Sequence, residues 1–100
     1  MTTIQDTLRA LAARTSARKG RTLARTEARN ARMLDILSKA VADLRSDADK
    51  AELSPSLRAL ALRGLTKAEN ALARFQEAAE AKEAALAEDI EALDRASKDL

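Results

Sequence analysis

Apolar positions return every three or four residues through most of this chain, with one break near the middle. In the second half, Leu65, Leu72, Ala79, Leu86, Leu93 and Leu100 recur every seven residues. Ala68, Phe75 and Ala96 fall at the complementary spacing. In the first half, Leu34, Leu37, Val41, Leu44, Ala48 and Ala51 alternate by threes and fours. A heptad pattern of this kind turns one stripe of each helix toward a partner helix. Upstream of Leu34 the stripe reaches back to Leu23, but it weakens through Asn30, Glu27, Gly20, Ser16 and Ala13. Ile4, Leu8 and Leu11 form a short apolar stripe in a shifted phase. The register across residues 12–30 is therefore expected to be imperfect.

The break is marked by the only proline, in Glu52-Leu53-Ser54-Pro55-Ser56. Ser54 is a suitable N-cap, and Pro55 a suitable first helical residue because its missing N–H needs no partner there. Pro55 also drives Ser54 out of helical angles, which ends what precedes it. At the other end Thr3 or Thr2 can cap a first helix with Asp6 in its first turn. The pattern predicts a first helix over about 3–50, a turn over 51–54 and a second helix over about 55–97. A connection this short makes the helices antiparallel neighbours. The expected fold is all-α: one antiparallel two-helix hairpin domain spanning residues 1–100, coiled-coil-like and oligomerising into a helical bundle.

Folding the chain about residue 53 sets Val41 level with Leu65, Leu34 with Leu72, Asn30 with Phe75 and Gly20 with Leu86. The candidate association seam is Leu34, Leu37, Val41, Leu44, Leu65, Leu72, Phe75, Leu86 and Leu93. Gly20 costs its helix roughly 1 kcal/mol relative to Ala. It is read either as a small residue kept for packing or as a hinge that frees residues 1–20 as a separate, flexible basic arm.

Composition sharpens the expectation of self-association. Of the 46 % hydrophobic residues, 24 are Ala, and Phe75 is the single aromatic. Alanine favours helix but adds little to a core. Met33, Ile36, Leu57, Leu60, Leu62 and Ile90 lie off the strict seam. They broaden the apolar face beyond what one partner helix covers.

Charge is nearly balanced, at +2, but unevenly placed. Residues 1–33 carry eight Lys/Arg against two acids, and residues 65–100 carry five against nine. Arg14, Arg18, Arg21, Arg25, Arg29 and Arg32 follow one another at steps of three and four, within an arc of about 80° on a helix. With Leu34 at heptad position a, Arg14 and Arg21 are b, Arg18, Arg25 and Arg32 are f, and Arg29 is c. All six face away from the seam. On the second helix Glu77 and Glu91 fall at f, Glu80 and Asp94 at b and Glu88 at c; only Glu69 and Glu83, at e, are natural cross-helix rungs. The arginine stripe has three readings: a solvated edge, a face that docks on an acidic edge of another copy or another protein, or a face for phosphates of nucleic acid or an anionic membrane. Thr15, Thr22 and Thr26 flank the stripe and are candidates for hydrogen bonds to phosphate.

Catalytic chemistry finds no support. The chain has no Cys and no His, which removes disulfides, the usual zinc ligands and the commonest general base. Glu88, Asp89 and Glu91 read as a solvated acidic face, and Asp43, Asp47 and Asp49 lack the spacing and glycine of a calcium loop. No apolar run is long enough to cross a bilayer, and the first residues lack the charged leader and apolar core of a signal peptide. The apolar stripe beside the arginines lacks the Trp and Phe that interfacial helices bring. The expectation is a cytoplasmic, non-catalytic structural, adaptor or chaperone-like protein-interaction module, without cofactor, metal or small-molecule substrate. It self-associates through the Leu/Ala seam and binds another protein. The alternative is a duplex nucleic-acid-binding protein that uses Arg14–Arg32.

Overall fold

The computed structural model describes residues 3–50 and 52–100. Met1, Thr2 and Ala51 lie outside the described residues, and with them the alternative cap at Thr2 and the last seam position, Ala51. Two helices, α1 (Ile4–Ala48) and α2 (Pro55–Lys98), pack against each other as a helical hairpin, and the described residues contain no strand.

The helix ends are set by local hydrogen bonds. Thr3 caps α1. Its Oγ1 accepts from the Asp6 amide at 3.0 Å, and its own amide donates to Asp6 Oδ2 at 3.4 Å. This reciprocal pair is a capping box with Asp in the acidic position. Ser54 caps α2: its Oγ accepts from the Leu57 amide at 3.3 Å and its carbonyl accepts from the Arg58 amide at 2.8 Å. Pro55 is the first residue of α2, where it displaces no hydrogen bond. Past the end of α1 the Lys50 amide donates to Asp47 at 3.3 Å, and the Arg58 guanidinium donates to the Lys50 carbonyl at 3.1 Å. These bonds occupy backbone groups that a helix end leaves unpaired.

The chain divides into two compact units. The turn unit comprises residues 30–79 and contains the connection; the terminal unit pairs residues 1–29 with residues 80–100. In the turn unit Val41, Ala48, Leu65 and Ala79 are buried, and Leu34, Leu37, Leu72 and Phe75 are half-buried. Leu44, expected on the seam, stays 39 % exposed. Arg45 Nη2 meets Glu69 Oε1 at 3.1 Å across the two helices, the rung expected of Glu69.

In the terminal unit the least exposed residues of α1 are Ala12, Thr15, Ser16, Lys19, Gly20, Leu23 and Thr26, opposite Glu83, Leu86, Ile90, Leu93 and Ser97 of α2. Leu86 and Leu93 thus take their expected side at half-burial. The heptad count, however, placed Ala13 and Glu27 on the seam, and both are exposed. Thr26 is the buried residue, at 7 %. The reason is one extra four-residue step, Thr26–Asn30–Leu34, where a heptad would take three. An interval of four, four and three residues follows the natural twist of the α-helix more closely than a strict seven. It carries the buried stripe one position N-terminal of the heptad count. Phe75–Ala79–Glu83 makes the same double step in α2, which puts Glu83 and Ile90 among the half-buried residues.

Residues 4–20 continue α1 without interruption. Two polar ties hold them to α2: Ser16 Oγ donates to Asp94 Oδ1 at 3.1 Å, and Lys19 Nζ meets Asp89 Oδ2 at 3.5 Å. They set Gly20 level with about residue 89. A Cβ built on Gly20 meets nothing within 4 Å, and the same holds at Gly64. Close packing thus does not account for the glycine at either position.

Candidate interaction surfaces

The arginine stripe begins in the terminal unit, where α1 presents Arg14, Arg18, Arg21, Arg25 and Arg29; Arg32 continues it on the α1 segment of the turn unit. All six are exposed. Helical geometry places them between about 100° and 180° from the centre of the α1 seam. Among the described residues, the ion pairs are Arg9–Asp6, Lys19–Asp89, Lys39–Asp35, Arg45–Glu69 and Lys50–Asp47. None involves a stripe arginine. From Asp6 to Asp35 the only acid on α1 is Glu27, and it lies on the far side of the seam from the stripe. Lys19, the one lysine in this stretch, turns toward α2 instead.

The flanking threonines behave differently from the expectation. Thr15 Oγ1 donates to the Leu11 carbonyl at 3.0 Å and Thr22 Oγ1 to the Arg18 carbonyl at 3.2 Å. Their protons are committed to their own helix, a common habit of threonine within helices. Thr26 is buried on the seam rather than beside the arginines.

The acidic counterpart on α2 is less uniform than the heptad letters suggested. Asp94, expected to face outward, accepts the Ser16 hydroxyl, and Asp89 takes Lys19. Glu83 is half-buried. Among residues 80–100, Glu80, Glu88, Glu91 and Asp99 remain as exposed carboxylates outside these contacts, interspersed with Lys82, Arg95 and Lys98.

A second surface lies in the turn unit. Ile36 is 60 % exposed and Leu60 61 %, and Met33, Leu44 and Leu57 are exposed beside them. Helical geometry puts Met33, Ile36, Ala40 and Leu44 of α1 on one flank of the seam. Leu57, Leu60, Gly64 and Ala71 of α2 fall on the same flank. The Arg45–Glu69 bridge occupies the opposite flank, with Ser38, Thr66 and Gln76. Leu62, 47 % exposed, lies on that opposite flank with Thr66 and Glu69, so the apolar residues of the turn unit are concentrated on one side and the polar ones on the other. Nothing in the heptad letters revealed this. The signal was present as the off-seam aliphatic residues, but their side can be assigned only once the direction of each seam is known.

Among the described residues, no group of three or more acidic side chains is placed to hold a metal ion, and no helix is long and apolar enough to cross a membrane. The chain matches no family model, no curated protein and no solved structure.

Proposed function

We propose that this chain is a non-catalytic protein-interaction module, a helical hairpin that associates with further copies of itself through the apolar flank of its turn unit. The seam residues Leu34, Leu37, Val41, Leu65, Leu72 and Phe75 are occupied between the two helices of one chain. Association therefore falls to the aliphatic residues beside the seam.

The observation that carries this reading is the exposure of aliphatic side chains on one flank of the turn unit: Ile36 60 %, Leu60 61 %, Leu57 55 %, Met33 41 % and Leu44 39 %. Contiguous aliphatic patches of this sort mark interaction sites. A second copy presents the same flank, so an isologous pair buries both at once.

The test is the mass in solution, by sedimentation or light scattering across a range of protein concentration. Wild type is expected to be dimeric or larger. Ile36→Glu with Leu60→Glu is expected to give single chains, because it places a charge on each side of the shared flank. Single chains of wild type at all concentrations would overturn self-association. An unchanged mass in the double variant would move the interface elsewhere.

A further inference from the structure

The arginines of the terminal unit point to a partner of different chemistry. We propose that Arg14, Arg18, Arg21, Arg25 and Arg29 form a binding face for the phosphate backbone of double-stranded nucleic acid, read without regard to base sequence.

Five guanidinium groups lie on one helix face without a carboxylate partner among the described residues. Steps of three and four residues space them about 4.5–6 Å apart along the helix axis, over a line of roughly 22 Å. A duplex carries one phosphate per ~3.4 Å of each strand, so a helix of this length laid along a groove edge meets several phosphates. The residue type matters as well. The guanidinium fork binds phosphate oxygens in pairs and holds its charge at any working pH. The only lysine within the segment is turned away to Asp89.

Other polyanions fit less well. In residues 80–100 of a second copy, Asp89 and Asp94 already meet Lys19 and Ser16, and the exposed Glu80, Glu88, Glu91 and Asp99 are interspersed with Lys82, Arg95 and Lys98. Carboxylates broken up by three cations make a weaker anionic face than the unbroken row of phosphates on a duplex strand. Single strands are bound through aromatic side chains that stack on bases, and the one aromatic, Phe75, is half-buried in the turn unit. An anionic membrane surface calls for a broad apolar face with Trp or Phe beside the cations; among the described residues of the terminal unit the exposed large apolar side chains are Ile4, Leu8 and Leu11.

The experiment uses the full chain and a labelled random-sequence DNA duplex, with affinity measured from about 50 to 200 mM salt. Each phosphate contact adds about −0.9 to the slope of log affinity against log salt. A slope between about −3 and −4.5 is expected, a loss of up to ~500-fold across that range. Arg18→Glu with Arg25→Glu is expected to reduce affinity at least ~tenfold at low salt and to make the slope shallower by about 2. Arg63→Glu with Arg74→Glu makes the same change of charge on α2 and is expected to leave the slope as in wild type. Circular dichroism of both double variants confirms that the helices persist. The proposal is overturned by absence of duplex binding at ~50 mM salt, by an unchanged slope in the stripe variant, or by equal weakening in the control. Binding to vesicles of anionic phospholipid but not to duplex overturns it in favour of a membrane surface. Loss of self-association in Ile36→Glu with Leu60→Glu tests the interaction module separately, because neither residue belongs to the stripe.

Discussion

Ser16 and Asp94, 78 residues apart in the chain, are joined by a hydrogen bond of 3.1 Å from the Ser16 hydroxyl to Asp94 Oδ1. The bond lies where apolar periodicity is weakest, and it ties the start of α1 to the end of α2. With Lys19–Asp89 on the other flank of the same seam, it shows how a stretch poor in large side chains is held. Polar ties bracket a narrow Ala/Ser stripe. Both partners are solvent-accessible, so the contribution is modest. A double-mutant cycle of Ser16→Ala and Asp94→Ala, followed by urea denaturation at one protein concentration, is expected to give a coupling of about 0.5–1.5 kcal/mol. A coupling of zero would mean that the tie does not persist in solution.

The double four-residue step predicts a sharp contrast between neighbours. Thr26 is buried and Glu27 exposed. Thr26→Lys is therefore expected to destabilise the protein by more than ~2 kcal/mol, since it forces an unpaired charge into the seam. Glu27→Lys should stay within about 0.5 kcal/mol of wild type. Denaturant midpoints of the two variants check this, and the reverse order would restore the strict heptad.

Leu65 is the larger of the two buried residues of α2, at 8 % exposure. Leu65→Ala is expected to cost about 2–5 kcal/mol, from lost burial plus the cavity left behind. Arg21→Ala, on the exposed face and without an ion-pair partner, should change stability by less than about 0.5 kcal/mol. Thermal melts followed by circular dichroism suffice to rank them.

Gly20 and Gly64 sit in the middle of helices with open space where a Cβ would go. Gly20→Ala and Gly64→Ala are each expected to stabilise by up to ~1 kcal/mol. For a domain of this size that is a rise in Tm of about 4–8 °C. A fall in Tm at Gly20 would show that the glycine serves a close approach or a bend absent from this structure.

Much of the architecture was legible in the chain. Pro55 behind Ser54 located the turn because both act through the local backbone: one removes a donor, the other supplies a cap. Thr3 and Asp6 marked the start of α1 for the same reason. The outward placement of the six arginines was also legible, since residues three and four apart share a face of any helix. The candidate surfaces were legible only in part. The stripe could be named from spacing, whereas the apolar flank could not be assigned a side, and Thr26 was taken for a neighbour of the arginines when it belongs to the seam.

Helix limits, helix type and the identity of the charged edge therefore follow from sequence alone, because caps, breakers and a period near 3.6 residues act within a few positions. Tertiary structure decided the phase of the seam across Thr26–Asn30–Leu34, the pairing of Ser16 with Asp94 and of Lys19 with Asp89, and which flank of the turn unit is left apolar. Those outcomes depend on how two helices twist against each other. A one-residue shift in phase turns a helix face by about 100°, and alanine, serine and lysine at the interface are too indifferent to burial for the local pattern to choose.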